Sequence, residues 1–215
     1  MLTHKRKFIE KVLQLEEIPQ SPKWHPEGNT LEHVKFIIYG LTVKKNYGMI
    51  SYKEYEFLTW VALFHDLGKI DTLTFDDDGN PHAYGHEYKA ERYIDNFYDV
   101  IPQHIYSVDK GMLKKFCEKH MKAHLMVGTE MRVTKKEAFK DEFTDTGFYL
   151  MMMFERCDSV HTLYEFLRRD QRFVDKCYLE PIEFYDEIRE NMNRFYGGNF
   201  EGWLKQKVNF KKELK

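Results

Sequence analysis

Four side chains in this sequence are costly to remove from water yet stand where burial is expected: His33, His65, Asp66 and Asp158. His33 lies beside the apolar stripe of a predicted helix. The pair His65-Asp66 ends the most apolar segment of the chain, and Asp158 lies near a helix face that carries Met151 and Phe154. A carboxylate that loses its hydration needs a cationic partner, and neutral imidazoles beside two such carboxylates make a metal ion the economical one. Taken singly, each residue has an ordinary explanation: the histidines as hydrogen-bonded core residues, the aspartates as caps or ion-pair partners. A shared metal ion accounts for all four together.

The elements that would position these residues are helical almost throughout. Ser51-Tyr-Lys-Glu54 has the form of a capping box and opens a segment, Tyr55–Leu67, that is apolar nearly all round, as a central buried helix requires, with Gly68 expected to close it at C′. Upstream, Thr30 can cap a helix whose Val34, Ile37, Ile38 and Leu41 recur at helical spacing. Downstream, Tyr84–Val100, Asp109–His124, Thr144–Arg169 and Pro181–Phe195 follow the same period, Pro181 being acceptable in a first helical turn. Strand-like alternation is scarce. The expectation is an all-α bundle forming a single domain over 1–215, with a core at about 24–170 and a helical C-terminal extension at 171–215.

Composition removes several functions. With 33 Lys+Arg against 35 Asp+Glu over 215 residues, both signs intermixed, the chain has no global field to hold a nucleic-acid backbone, and stable DNA binding is not expected. The longest apolar stretch, near Phe57–Leu67, is far shorter than the roughly 20 residues a bilayer crossing needs, and Met1–Lys7 is polar, so no membrane association and a cytoplasmic location are expected. Cys117, Cys157 and Cys177 are odd in number and lack metal-type spacing, which argues against a disulfide framework or a cysteine zinc site. Asp76, Asp78, Asn80 and Glu87 match positions of a calcium loop, but Pro81 stands where that loop needs glycine, so a solvated turn is the simpler reading. His120 and His124 are spaced like the ligands of a zinc protease, but Met121 occupies the place of the general-base glutamate. Lys205–Lys215, with five lysines and one acid, reads as a solvated tail.

Thr30-x-x-His33, then Phe64-His65-Asp66-Leu67-Gly68-Lys69, then Asp158 resembles the H…HD…D signature of HD-domain metal-dependent phosphohydrolases. More narrowly, His25-Pro26-Glu27-Gly28-Asn29-Thr30-x-x-His33 together with Gly85-His86-Glu87 is similar to the HD domain attached to some bacterial CCA-adding tRNA nucleotidyltransferases. The resemblance runs from Trp24 to His161. It includes no nucleotidyltransferase head domain, so only the hydrolytic activity of the HD domain could carry over.

The resemblance implies a divalent metal held by His33, His65, Asp66 and Asp158, a donor set that suits Mn, Fe, Ni, Co or Zn. It also implies a second ion where two further histidines fall between the HD pair and the last aspartate. His86 and either His120 or His124 stand in that order, Asp66 then being the bridging carboxylate; the alternative is that these histidines bind substrate phosphate. His120 and His124 share a helix face with Leu113 and Cys117, which points them inward. Lys69 can neutralise a phosphate or simply favour a helix C-terminus, and His161, one turn after Asp158, is a substrate contact or an ordinary histidine. The expected catalytic set is Asp66, Lys69 and His86, with Lys69, His120, His124 and His161 as substrate contacts. The implied reaction is phosphoester hydrolysis by water activated on the metal, on a small nucleotide or RNA-end substrate, foremost a 2′,3′-cyclic phosphate. A 5′-nucleotidase or (deoxy)nucleoside triphosphohydrolase would use the same ligands, and a non-catalytic nucleotide-binding module is the reading from another class.

Overall fold

A computed structural model of the chain describes residues 2–21, 25, 28–102, 108–127 and 132–159. These residues belong to one compact unit, Met1–Val160. The helices expected beyond residue 159, the extension at 171–215, His161, and the basic segment Lys205–Lys215 lie outside the described residues, as do Trp24, Pro26 and Glu27 of the narrower resemblance.

The described unit is all-α. Its helices are α1 (Leu2–Gln14), α2 (Thr30–Asn46), α3 (Tyr52–Phe64), the short α4 (Lys69–Thr72), α5 (His86–Phe97), α6 (Lys110–Val127), α7 (Val133–Asp141) and α8 (Asp145–Asp158). Between α4 and α5 two-residue strands, β1 (Thr74–Phe75) and β2 (Pro81–His82), pair antiparallel. The Asp76 carboxylate closes this hairpin by accepting from the backbone of Asp78 and Asn80 and from His82 Nε2, so the calcium-like spacing is spent on a turn. Among the described residues no helix is long and apolar enough to cross a membrane.

The centre of the bundle is α3, packed against α2, α5, α6 and α8. The capping box forms as the sequence requires, with Ser51 Oγ accepting from Glu54 N and the Glu54 carboxylate accepting from Ser51 N. Leu58, Val61, Ala62 and Phe64 are fully buried, with Phe116 from α6 and Phe154 from α8 completing the core. At about 1.5–3 kcal/mol per buried large apolar side chain, this is the main source of stability.

Three sequence expectations need correction. The cap of α2 is Asn29, whose side chain accepts from Glu32 N; Thr30 is the first helical residue, and its hydroxyl is taken up by Ile18 O. Helix α3 ends at Phe64, before the predicted Leu67, and Gly68 does not adopt a left-handed cap: its φ of −61° is ordinary helical backbone. Glycine is needed there for space, since a Cβ at position 68 would lie 2.0 Å from the carbonyl oxygen of His86. Lys69, expected just beyond a helix end, instead opens α4. A second close approach brings α2 against α8, where a Cβ on Gly40 would come within 3.0 Å of Cys157 Sγ.

Candidate metal centre

The packing of α2, α3 and α8 converges on one point. His33 from α2 places Nε2 2.7 Å from Asp158 Oδ1 and 4.0 Å from Asp66 Oδ2. His65, which caps the end of α3, places Nε2 3.3 Å from Asp66 Oδ2 and 3.7 Å from Asp158 Oδ1. The four residues singled out by chemical type in the sequence are thus neighbours, and each is at most 3% exposed.

Helices α5 and α6 add a second group on the other side of Asp66. His86 Nε2 lies 3.1 Å from Asp66 Oδ1 and 3.1 Å from His120 Nε2, both histidines being buried. Ligand-type atoms lie within 4.8 Å of one another in three overlapping sets among the described residues: His33/His65/Asp66, His65/His120/Asp158 and Asp66/His86/His120. Asp66 therefore turns one oxygen toward each half of the site.

Three of the histidines are oriented in the same way. Nδ1 of His65 donates to Ala62 O at 2.9 Å, Nδ1 of His86 to Ala83 O at 2.7 Å, and Nδ1 of His120 to Cys117 O at 2.6 Å. A carbonyl can only accept, so Nδ1 of each ring carries a proton and Nε2 is the nitrogen turned toward the centre. Nε2 of His86 and Nε2 of His120 face each other at 3.1 Å with Asp66 Oδ1 beside them, a cluster of donor atoms that a cation could share.

Buried atoms without a hydrogen bond mark the same place. His65 Nε2 and both oxygens of Asp66 have none of acceptable geometry. Lys69 Nζ stands 2.8 Å from Asp66 Oδ2, close enough for charge attraction but misaligned for a bond. Burial on its own would raise the Asp66 carboxyl, but His65 and Lys69 outweigh it and hold the group well below the usual carboxylate range. Burial likewise acts against Asp158, which His124 foremost holds low, while His120 is kept neutral by burial and by the neighbouring His65 and His86. Carboxylates held ionised, imidazole nitrogens turned inward and buried donor atoms without a hydrogen bond fit a divalent cation.

The chain matches no protein-family model, no curated protein and no solved structure.

The remaining predicted residues divide. His86 and His120 join the centre, whereas His124 is drawn aside. Its Nε2 donates to Asp158 Oδ2 at 2.9 Å, and its Nδ1 lies 3.4 Å from Glu155 Oε1. Burial acts against its charge, but the carboxylates of Asp158 and Glu155, one near each nitrogen, raise its pKa to about 10. Lys69 is held rather than free: besides facing Asp66, it donates to Gln20 Oε1 at 2.5 Å. Two participants had not been expected. Glu155 is 2% exposed and accepts from Ser159 Oγ at 2.7 Å; its place four residues after Met151 and three before Asp158 was the available signal. Gln20, 7% exposed, comes from an irregular segment with no periodicity to mark it. His25 approaches the His33 ring edge-on, with centroids 4.7 Å apart.

Proposed function

We propose that the protein is a metal-dependent phosphohydrolase acting on a nucleotide or RNA-end phosphoester, foremost a 2′,3′-cyclic phosphate. The observation that carries this reading is the convergence of His33, His65, Asp66 and Asp158 with His86 and His120, with Asp66 offering an oxygen to each half. His33, His65, Asp66 and Asp158 would hold one divalent ion, and Asp66, His86 and His120 a second. Ions there would supply Lewis acidity to the phosphoryl oxygens and lower the pKa of an attacking water.

The chain's own residues supply the rest. The Nδ1–H bonds to backbone carbonyls keep Nε2 of His65, His86 and His120 aimed at the centre. Lys69, steadied by Gln20, keeps an ammonium beside Asp66, where it can meet phosphate charge. The described residues contain two buried thiols, Cys117 and Cys157, and burial pushes both well up, so neither is a nucleophile near neutral pH. That supports direct attack by water over a covalent intermediate.

The test is a screen of metal-reconstituted protein against nucleoside 2′,3′-cyclic phosphates, mononucleotides, nucleoside triphosphates and RNA ends, with phosphate and diester products followed separately. Turnover of cyclic phosphates is expected. Preference for 5′-monophosphates or triphosphates would shift the reading to a nucleotidase or triphosphohydrolase. No turnover with Mn, Fe, Ni, Co or Zn would leave a nucleotide-binding module.

A further inference from the structure

We propose that His124 is a positioning residue: clamped by Glu155 and Ser159, it fixes the Asp158 carboxylate so that one oxygen is committed to the metal centre. The inference rests on the metal-centre reading above and concerns how that centre is held in shape. It gives His124 a role different from the two expected from the sequence, metal ligand and phosphate contact.

Asp158 is the last residue of α8. A carboxylate there faces the negative end of the helix dipole and needs compensation. Its two oxygens have different partners: Oδ1 lies 2.7 Å from His33 Nε2 and 3.7 Å from His65 Nε2, inside the centre, while Oδ2 accepts from His124 Nε2 at 2.9 Å. The carboxylate plane is thus set between two bonds, His33 on Oδ1 and His124 on Oδ2, and losing the second frees Oδ2 to turn. The imidazole is itself held from behind. Ser159 Oγ donates to Glu155 Oε1 at 2.7 Å and lies 3.4 Å from His124 Nδ1, and Glu155 Oε1 lies 3.4 Å from the same nitrogen. Glu155 and Asp158 sit three residues apart on α8, so one ring from α6 bridges two acids of one helix face. Side chains of this outer kind commonly govern metal affinity by about 10–100-fold without touching the ion.

The experiment is a cobalt(II) titration followed by the visible absorbance of the bound ion, on wild type and on His124→Ala, His124→Gln, Glu155→Ala and Glu155→Gln, with far-UV circular dichroism confirming the fold. His124→Ala should keep the wild-type metal stoichiometry, weaken binding by about 10–100-fold and alter the absorption spectrum. His124→Gln retains an N–H donor near the Nε2 position and should restore most of the affinity and the spectrum. Glu155→Ala should weaken binding by a smaller factor, and Glu155→Gln, which still offers an acceptor to Nδ1, should fall between that variant and wild type. If His124→Ala does not fold, the Gln and Glu155 variants carry the test. Loss of one equivalent of cobalt in a folded His124 variant would make His124 a ligand and overturn the proposal. Wild-type affinity and spectrum in the alanine variants would also overturn it, leaving the metal centre intact. A wild-type protein that takes up no cobalt would instead remove the metal centre itself.

Discussion

Replacing Gly68 by alanine separates two explanations for glycine at that position. The backbone there is right-handed, with φ −61° and ψ −20°, so an alanine is conformationally acceptable and should stabilise by about 0.4–1 kcal/mol through the unfolded chain. The new Cβ, however, would lie 2.0 Å from the His86 carbonyl oxygen, 2.8 Å from its carbon and 3.0 Å from Lys89 Cβ. Reaching the 3.4 Å of ordinary contact displaces the backbone of His86 by about 1.4 Å. Overpacking of this kind costs about 1–3 kcal/mol, so we expect a net loss of about 1–2 kcal/mol and a fall in Tm of roughly 2–8 °C. Because the displaced group is the backbone of His86, the second ion proposed for Asp66, His86 and His120 should be lost first. Thermal denaturation and cobalt titration measure the two effects. Gly68→Asn provides the control, since asparagine tolerates a left-handed cap but not this contact, and it should fare no better than alanine. A Gly68→Ala protein as stable as wild type with full metal content, or a clear recovery with asparagine, would refute the steric argument.

Asp66→Ala should abolish hydrolysis and remove bound transition metal while the helical circular dichroism persists; elemental analysis showing equal metal in variant and wild type would sink the assignment. His86→Ala and His120→Ala should each lower metal content by one equivalent and leave the first ion in place, and an unchanged count would make the centre mononuclear. Cys117 and Cys157 should resist a thiol reagent at pH 8 until the protein is denatured, because burial raises both, Cys157 to about 12; rapid labelling of either in the native state, located by peptide mass spectrometry, would contradict the packing. Burial also lifts Tyr55 to about 12, and since both Tyr55 and Cys157 are raised on folding, the stability they supply is complete below their ordinary pKa values of 10.0 and 9.0 and is lost as pH climbs toward 12. Tm should therefore fall progressively above pH 9, and a flat profile to pH 11 would argue against their burial.

The sequence showed which residues cannot be buried alone, and that signal survived translation into space. His33, His65, Asp66 and Asp158 were legible because apolar periodicity put costly groups on inward faces. Ser51 and Glu54 were legible because a capping box is a local motif. Choices that depend on packing between elements were not. Asn29 and Thr30 are both competent caps, and the decision came from Ile18, which engages the threonine hydroxyl. His120 and His124 share one helix face, yet one turn along α6 separates a ring that meets His86 from a ring captured by Asp158 and Glu155. Gly68 was noticed for the wrong reason, since a helix end and a close backbone contact both favour glycine and only the position of His86 distinguishes them. Helix α7 carries too little apolar periodicity to stand out.

The bonds from His65, His86 and His120 to main-chain carbonyls make one part of the centre unusually tolerant of sequence drift. No side-chain change at Ala62, Ala83 or Cys117 can delete an acceptor that belongs to the backbone, so long as the local backbone path survives. The orientation of Asp158 is encoded differently, in three replaceable side chains: His124, Glu155 and Ser159. Random substitution should accordingly spare the aim of the three rings and erode that of the carboxylate, so in a mutational library the losses of metal affinity that do not unfold the protein should gather along the contact between α6 and α8.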